Sequence, residues 1–190
     1  GIIGVIGKDQ ITSISSNLVQ DIGFKDPREI IPGLSQKLRY EEGCHVVVVS
    51  IHAPQNTLFM ANSDFDIDDY ADAVFCGHSH ADECDITVGG TPFLQGMSYG
   101  KMVSHVRLDV TASGEVSCNT YENISYSSSW DSDQSIQQIV DTYAEDYEQM
   151  AAQKLGNVDS YLGYNAEMPR LACRAMAEYA VSQGYDDIVL

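Results

Sequence analysis

The run HVVVVSI at His45 to Ile51 is the feature that most limits how this chain can fold. Nearly all of its residues are apolar and β-branched, and polar side chains do not alternate with them. This pattern is typical of a strand that is buried on both faces of a parallel sheet. The runs Gly1 to Ile6 and Asp72 to Cys76 have the same character. We therefore predict three buried strands in the first half of the chain.

A helix is predicted between the first two of these strands. Apolar residues recur at spacings of one, three and four after the pair Asp26-Pro27, at Ile30, Ile31, Leu34 and Leu38. Proline is favoured in the first turn of a helix, whereas Pro32-Gly33 is expected to break or shift that turn. The helix should end near Gly43. A strand, helix, strand unit is the result.

The second half of the chain changes pattern. Four strand-like runs are separated by glycines, and they lie at Asp85 to Val88, Thr91 to Leu94, Met102 to Val110 and Glu115 to Tyr126. Such runs predict an antiparallel meander. The fold class is therefore predicted as α/β, a two-sheet sandwich flanked by helices.

The tail predicts helices and a domain boundary. After a serine-rich stretch that ends in a helix cap near Ser132, apolar residues from Ile136 to Ala151 recur at spacings of three and four. A second helix is predicted at Met168 to Val181, and a strand begins at Asp187. The last 35 or so residues are too few for a core of their own, so we expect them to open a second domain. Both ends look cut, which favours a piece of a longer protein over a compact domain with strands at its termini.

Composition excludes some classes of function. The chain carries 28 acidic and 10 basic side chains, a formal net charge of −18, which works against nucleic acid as a partner because lysine and arginine supply that affinity. No apolar run approaches the roughly 18 residues that a membrane span needs. The five cysteines are odd in number and widely spread, so a disulfide framework is not expected.

The informative residues are histidines at strand ends. His52 directly follows the run His45 to Ile51, and His78 and His80 follow the run that ends at Cys76. In open α/β sheets, ligand sites form at the carboxyl ends of the strands. Two neighbouring strands would bring three imidazoles together, and residues i and i+2 of an extended chain point the same way. Neutral imidazole binds zinc, iron, manganese or nickel. The competing interpretation is that His52 and His80 are ordinary loop residues whose ring nitrogens form hydrogen bonds with the backbone.

The same segment offers an alternative set of metal ligands. Cys76, His78, His80 and Cys84 form the pattern C-x-H-x-H-x3-C, and four such ligands could close a structural zinc site. Cys76 is also explained more simply as a small buried residue, since it ends an apolar strand.

Several runs together resemble one family. They are GIIGVIG, FKDPREI, VVVVSIHAP, FCGHSHAD and TPFLQGMSYGKMVSHVRLDV. Their order resembles the calcineurin-like metallophosphoesterases, and within these the 5'-nucleotidase family, over about residues 1 to 126. The resemblance implies half of an α/β/β/α metallophosphoesterase domain at 1–126, an interdomain linker helix at 127–155 and the truncated start of a C-terminal nucleotide-binding domain at 156–190.

The resemblance assigns roles to the three histidines. His52 is similar to the histidine that follows a hydrophobic strand and binds the second metal. His78 matches the first histidine of the family's G-H-x-H element and binds the same metal. His80 matches the second histidine and belongs to the first metal. The implied cofactors are two divalent metal ions, drawn from Zn, Mn, Fe, Co or Ni.

The implied function is hydrolysis of nucleotide phosphate esters, by an enzyme of the 5'-nucleotidase, UDP-sugar hydrolase or cyclic phosphodiesterase type. The family's D-x-H, G-D and G-N-H-[DE] motifs, which supply the bridging aspartate and the remaining ligands, do not occur in the sequence and would precede Gly1. We therefore expect the missing N-terminal half as a partner, no catalytic residue within this chain, and no activity from this chain alone. The metal ions would let an acidic protein accept an anionic substrate.

The resemblance is weaker in the tail. Arg170 and Arg174 occupy the positions where the family pattern N-L-x-x-D-A-M has Asn and Asp. The residues that bind substrate are not assigned. Localisation in the periplasm, at the cell surface or outside the cell follows from the resemblance alone.

A second class of function remains open. The chain could be a non-catalytic binding or assembly module, either without a metal or with the structural zinc site described above. Asp82, Glu83 and Asp85 follow the histidines, and they either tune them from a second shell or form a solvated loop.

Overall fold

The three apolar runs form parallel strands in the computed structural model of the chain, which describes residues 1–58, 64–154, 157 and 161–185. Strand β1 is Ile2–Ile6, β2 is Val48–His52 and β3 is Ala73–Cys76. β2 lies between the other two and pairs with both in parallel. The three predicted strands are confirmed, although β2 begins three residues later than the apolar run. The predicted burial on both faces is wrong for β1 and β2, because buried residues alternate with exposed ones along both strands. The contacts divide the chain into two units, Gly1–Trp130 and Asp131–Leu190, and each is described here by itself.

The next two strands extend this first sheet. β4 is Asp82–Ile86 and β5 is Pro92–Gly96, and they form an antiparallel hairpin. β5 also pairs with β3 in parallel, so the order of the sheet is β1-β2-β3-β5-β4. The predicted four-stranded meander is therefore wrong in this part. The apolar residues of β5 are buried on both faces, which is the environment of an interior strand.

A second sheet is formed by β6, Met102–Val110, and β7, Val116–Ser125. They pair antiparallel, with a shift of register between Arg107 and Leu108. The Asn123 amide of β7 joins the two sheets, because it donates to the Asp82 carboxylate at 2.7 Å and to the carbonyls of Glu83 and Gln95, both at 2.9 Å. The predicted fold class, α/β with two sheets and flanking helices, is confirmed.

Helix α1, Pro27–Gln36, connects β1 to β2, and a single π-helical turn at Lys37–Glu41 continues it. The Asp26 side chain caps the helix by accepting from the Arg28 backbone N–H at 2.9 Å, and Pro27 stands at the first helical position. Pro32 lies inside the helix and does not end it. The helix therefore spans the predicted range in spite of this proline.

The core lies on one face of the first sheet, under α1 and the segment before β3. Strand residues alternate between the two faces of a sheet, so each strand contributes every second residue to the core. The buried apolar residues of this core are Ile3, Ile31, Val47, Val49, Ile51, Ala53, Leu58, Ile67, Ala71, Val74 and Phe93.

An ion pair positions the start of β2 and β3. The Asp72 carboxylate accepts from the Arg39 guanidinium at 2.9 Å and from the Val47 backbone N–H at 2.7 Å. Arg39 also donates to the His45 carbonyl at 3.0 Å. These contacts connect the end of the helical segment to the amino ends of both strands. They therefore help to fix the register of β2 against β3, and with it the relative positions of the carboxyl ends of the two strands.

The β4–β5 turn is held by Asp68, in the turn Ile67–Asp69. Its carboxylate accepts from the Thr87 hydroxyl and from the backbone N–H of Gly89 at 2.8 Å. A Cβ on Gly89 would lie 2.7 Å from the Asp68 Cβ and still closer to its carboxylate, so this close approach requires glycine. Burial acts to raise the pKa of Asp68, but hydrogen bonds from Thr87, Thr91 and Gly89 outweigh it and hold that pKa below its ordinary value.

We expect Asp68→Asn to destabilise the chain at neutral pH and to lose this effect in acid. A carboxyl whose folded pKa is depressed contributes stability above its unfolded pKa, here 3.8, and loses it as the pH falls through the folded pKa. Loss of the charge-assisted bonds should cost roughly 1–3 kcal/mol at neutral pH. Urea unfolding of both proteins at neutral pH and at a pH well below 3.8, where the folded carboxyl is also protonated, measures this. A constant difference between them at every pH would contradict the prediction.

The second unit contains two helices. Helix α2 is Gln134–Ala151, and α3 is Glu167–Ser182, close to the predicted bounds of both. Asp133 rather than Ser132 caps α2, since its carboxylate accepts from the backbone N–H of Ser135 at 2.8 Å. The predicted strand from Asp187 lies outside the described residues. Within the part of the chain that the structure describes, no helix combines the length and the apolarity needed to cross a membrane.

Candidate metal-binding site

The predicted site residues lie at the carboxyl edge of the first sheet. The parallel strands β1, β2, β3 and β5 all end there, and His52 is the last residue of β2. Backbone bonds continue the ladder beyond the strands, because the Gly7 N–H donates to the His52 carbonyl at 3.2 Å and the Gly77 N–H donates to the Ala53 carbonyl at 3.3 Å. The segments after β1, β2 and β3 are thus held side by side.

His52 and His78 meet at this edge. Their ring centroids are 5.3 Å apart and the rings are nearly perpendicular, at 77°. Both side chains are exposed, so their ring nitrogens are open to a ligand from solvent. Gly77 lies beside this contact, and a Cβ there would lie at an ordinary van der Waals distance of 3.5 Å from His52 Nδ1. The fold therefore brings together two of the three predicted ligands, from neighbouring strands.

His80 is oriented differently from the expectation for an extended chain. His78 and His80 both have left-handed backbone conformations, with φ of 77° and 57°. The segment is a tight turn, so residues i and i+2 do not project in parallel. The His80 ring lies 6.1 Å from the ring of Tyr99, which also has a positive φ of 59°. His80 remains at the same edge of the sheet but does not join the contact between His52 and His78.

The residues fit part of a metal site. Two neutral imidazoles are good ligands for a divalent transition metal, but a closed or catalytic site needs at least one more protein ligand. Within the described ranges, no group of three or more His, Cys, Asp and Glu side chains could hold a metal ion. The assignment of His52, His78 and His80 as metal ligands therefore stays a prediction, and any complete site would need donors from elsewhere.

The alternative zinc ligands do not converge. In the register of the sheet, Cys84 is opposite Leu94, and Leu94 is opposite Phe75. Paired residues share a face and neighbours along a strand alternate, so Cys76 and Cys84 point to opposite faces. Burial and the nearby Glu83 raise the pKa of the Cys76 thiol to about 12. Cys76 packs against the core as a small half-buried residue, and all five cysteines are free.

The other two histidines lie away from this edge. His105 is on β6, where its Nδ1 is 3.3 Å from a carboxylate oxygen of Glu122 on β7. His45 precedes β2, at the opposite edge of the sheet, and a Cβ on Gly114 would come within 2.9 Å of its ring. Neither takes part in the contact between His52 and His78.

A groove of about 660 Å³ adjoins His52 on one side of β1 and β2. Its lining is mostly apolar and includes Ile22 and Phe24, with Lys25 as the cation in it. Of the paired histidines, His52 lines the groove, whereas His78 is not among its lining residues.

Sequence reasoning missed Gln95. It is the second-to-last residue of β5, only 2% exposed, and its side chain contacts Ser79 in the turn between His78 and His80. A polar residue inside the apolar run TPFLQG was the available signal, because buried amides need partners. The partner itself depends on the pairing of β5 with β3, which the sequence pattern did not predict.

Comparison with known proteins adds one line of support. No family model matches the chain, and no curated protein matches it either. Among solved structures, the chain is similar to a Staphylococcus aureus protein described as a putative 5'-nucleotidase, crystallised in complex with alpha-ketoglutarate. The TM-score is 0.59 and the sequence identity 15%, over 89% of this chain and 35% of the other. This chain thus spans about a third of the length of that protein. At this identity the likeness concerns the fold, and the chain has the fold of part of a 5'-nucleotidase-like protein, as its motifs predicted.

Proposed function

We propose that this chain is part of a metal-dependent phosphoesterase that hydrolyses phosphate esters of nucleotides, with His52, His78 and His80 among its metal ligands. The observation that carries the proposal is the contact between the His52 and His78 rings, 5.3 Å apart at the carboxyl edge of the sheet. This edge is where α/β sheets bind ligands. The fold shared with the solved 5'-nucleotidase-like protein supports the same class of function.

The chain's own residues would bind and orient. His52 and His78 offer ring nitrogens from two neighbouring strands, and the backbone bonds of Gly7 and Gly77 hold these strand ends at a constant separation. His80 offers a third imidazole from the other side of the turn. When bound, divalent ions would lower the pKa of a coordinated water and offset negative charge on the phosphate. Local metal charge would also let a protein of net charge −18 accept an anion.

The proposal concerns a longer protein. This chain spans 35% of the solved structure that it resembles, and its histidines are too few to hold two metals. Carboxylates from residues outside the chain would have to complete the ligand set. Localisation in the periplasm, at the cell surface or outside the cell stays a prediction.

Metal content and hydrolysis test the proposal. We expect the whole gene product that contains this chain to carry divalent metal by elemental analysis and to hydrolyse bis-p-nitrophenyl phosphate or AMP. The 190-residue chain alone should hydrolyse neither, because it has no complete ligand set. Chelation should remove the activity and added metal should restore it. A whole protein that contains no metal and hydrolyses neither compound under any metal supplied would refute the proposal.

A further inference from the structure

Gln95 is a buried polar residue in an apolar environment. On β5 it is flanked by Leu94 and half-buried Gly96, and its side chain shares the core face of the sheet with Phe93. Burying an amide is unfavourable unless hydrogen bonds replace those that it makes with water. The position thus calls for specific partners.

The partners of Gln95 lie in the turn of the histidines and on the neighbouring strand. Its Nε2 donates to the Ser79 hydroxyl at 2.5 Å and to a carboxylate oxygen of Glu83 at 2.9 Å. An ionised carboxylate only accepts, so the Glu83 contact requires the amide nitrogen, not the oxygen, on this side. The Oε1 atom is buried and has no hydrogen-bond partner among the described residues. The amide is therefore held by its nitrogen alone.

Ser79 is the central residue of the turn that carries the histidines. His78 and His80 on either side of it both have positive φ, a conformation that is unfavourable for residues other than glycine and persists only when the surroundings hold it. The Ser79 N–H donates to the Gly77 carbonyl at 3.0 Å, which closes the turn on one side. The Gln95 contact attaches the turn to the sheet beneath it.

We propose that Gln95, oriented by Glu83, is a positioning residue that holds the His78-Ser79-His80 turn over the carboxyl end of β5 and so sets the direction of both imidazoles. That these imidazoles bind metal rests on the proposed function. It is separate from that function in its geometry, because the contacts exist without any metal.

Two variants test the contact from its two ends. Gln95→Leu places an apolar side chain of similar size in the buried position and removes the hydrogen bonds to Ser79 and Glu83. Ser79→Ala removes the acceptor from an exposed residue, so it leaves the core intact if Gln95→Leu folds poorly. Thr91→Val is the matched control. Thr91 is 5% exposed, directly precedes the same strand, and donates to the Ala71 carbonyl at 3.0 Å far from the histidines.

Amide hydrogen exchange of residues 77–81, followed in the gene product without added metal, is the first measurement. We expect Gln95→Leu and Ser79→Ala to speed exchange in this segment relative to Thr91→Val. The double variant should exchange no faster than Gln95→Leu, because Ser79→Ala removes a hydrogen bond that Gln95→Leu has already removed. Exchange in Ser79→Ala and Gln95→Leu that equals the control would overturn the inference.

Affinity for Co²⁺ is the second measurement, followed by its visible absorption. We expect Gln95→Leu and Ser79→Ala each to weaken binding about 10–100-fold, the usual effect of removing a residue that orients a ligand. Thr91→Val should bind like wild type. Faster exchange with unchanged Co²⁺ affinity would overturn the role toward the ligands while leaving the proposed function intact. If wild-type protein binds no Co²⁺, the proposed function fails, and exchange alone then decides whether Gln95 holds the turn.

Discussion

Replacing His78 with Ala is expected to lower hydrolysis by the whole gene product at least about 100-fold and to reduce its metal content. Changes to residues that merely orient a metal ligand cost 10–100-fold, and loss of a ligand itself should cost more. His52→Ala should have a similar effect, because the two rings are 5.3 Å apart and would serve one ion. Hydrolysis of bis-p-nitrophenyl phosphate and elemental analysis of the purified variants measure both effects.

His105→Ala is the matched control for these variants. It removes an exposed imidazole from β6, where the Nδ1 atom lies 3.3 Å from a carboxylate oxygen of Glu122. Activity, metal content and thermal stability should all stay near wild type. If His78→Ala retains metal and activity to the same extent as His105→Ala, the ligand assignment is wrong, whatever the activity of the wild type.

Ile31→Ala is expected to produce the largest loss of stability, about 2–5 kcal/mol in the free energy of unfolding. Ile31 is 0% exposed and is the residue by which α1 enters the core of the first unit. Removing its side chain leaves a cavity that the sheet below cannot fill, because the strands are tied to one another by their backbone ladders. Urea unfolding monitored by circular dichroism measures this loss.

Leu34→Ala on the same helix is the control. Leu34 is 39% exposed, and alanine has a slightly higher helix propensity than leucine, so we expect a change within about 0.5 kcal/mol. The sequence places both residues on one apolar stripe, whereas the structure separates them. Equal losses for the two variants would show that Ile31 is not the main contact of α1 with the core.

Local pattern was sufficient where one interaction dominates. Continuous β-branched residues at 46–49 favour a strand, and β2 is a strand, although only one of its faces is buried. Asp26-Pro27 begins α1 because a carboxylate cap and a residue with φ already set for a helix both act within one turn. The positions of His52 and His78 at strand ends follow from the ends of these runs.

The sequence pattern did not predict features that depend on which segments pair in the sheet. The residues of β4 and β5 were assigned to a meander, but β5 pairs with β3 and is buried on both faces as an interior strand of the sheet. The C-x-H-x-H-x3-C pattern suggested four ligands around one ion, yet the register places Cys76 and Cys84 on opposite faces of the sheet. Spacing along the chain does not determine which face a residue occupies when a turn separates two strands that are not neighbours in the sheet.

The sequence by itself determined the three parallel strands, the helix between the first two, and the edge of the sheet at which three histidines lie, because each depends on hydrophobic burial and capping within a few residues. Only the tertiary structure decided that His52 faces His78 while His80 turns toward Tyr99, and that Gln95 lies beneath their turn. These are contacts between segments distant in the chain, set by strand order and register and by left-handed backbone conformations. No local preference predicts them, since each is maintained by the surrounding structure.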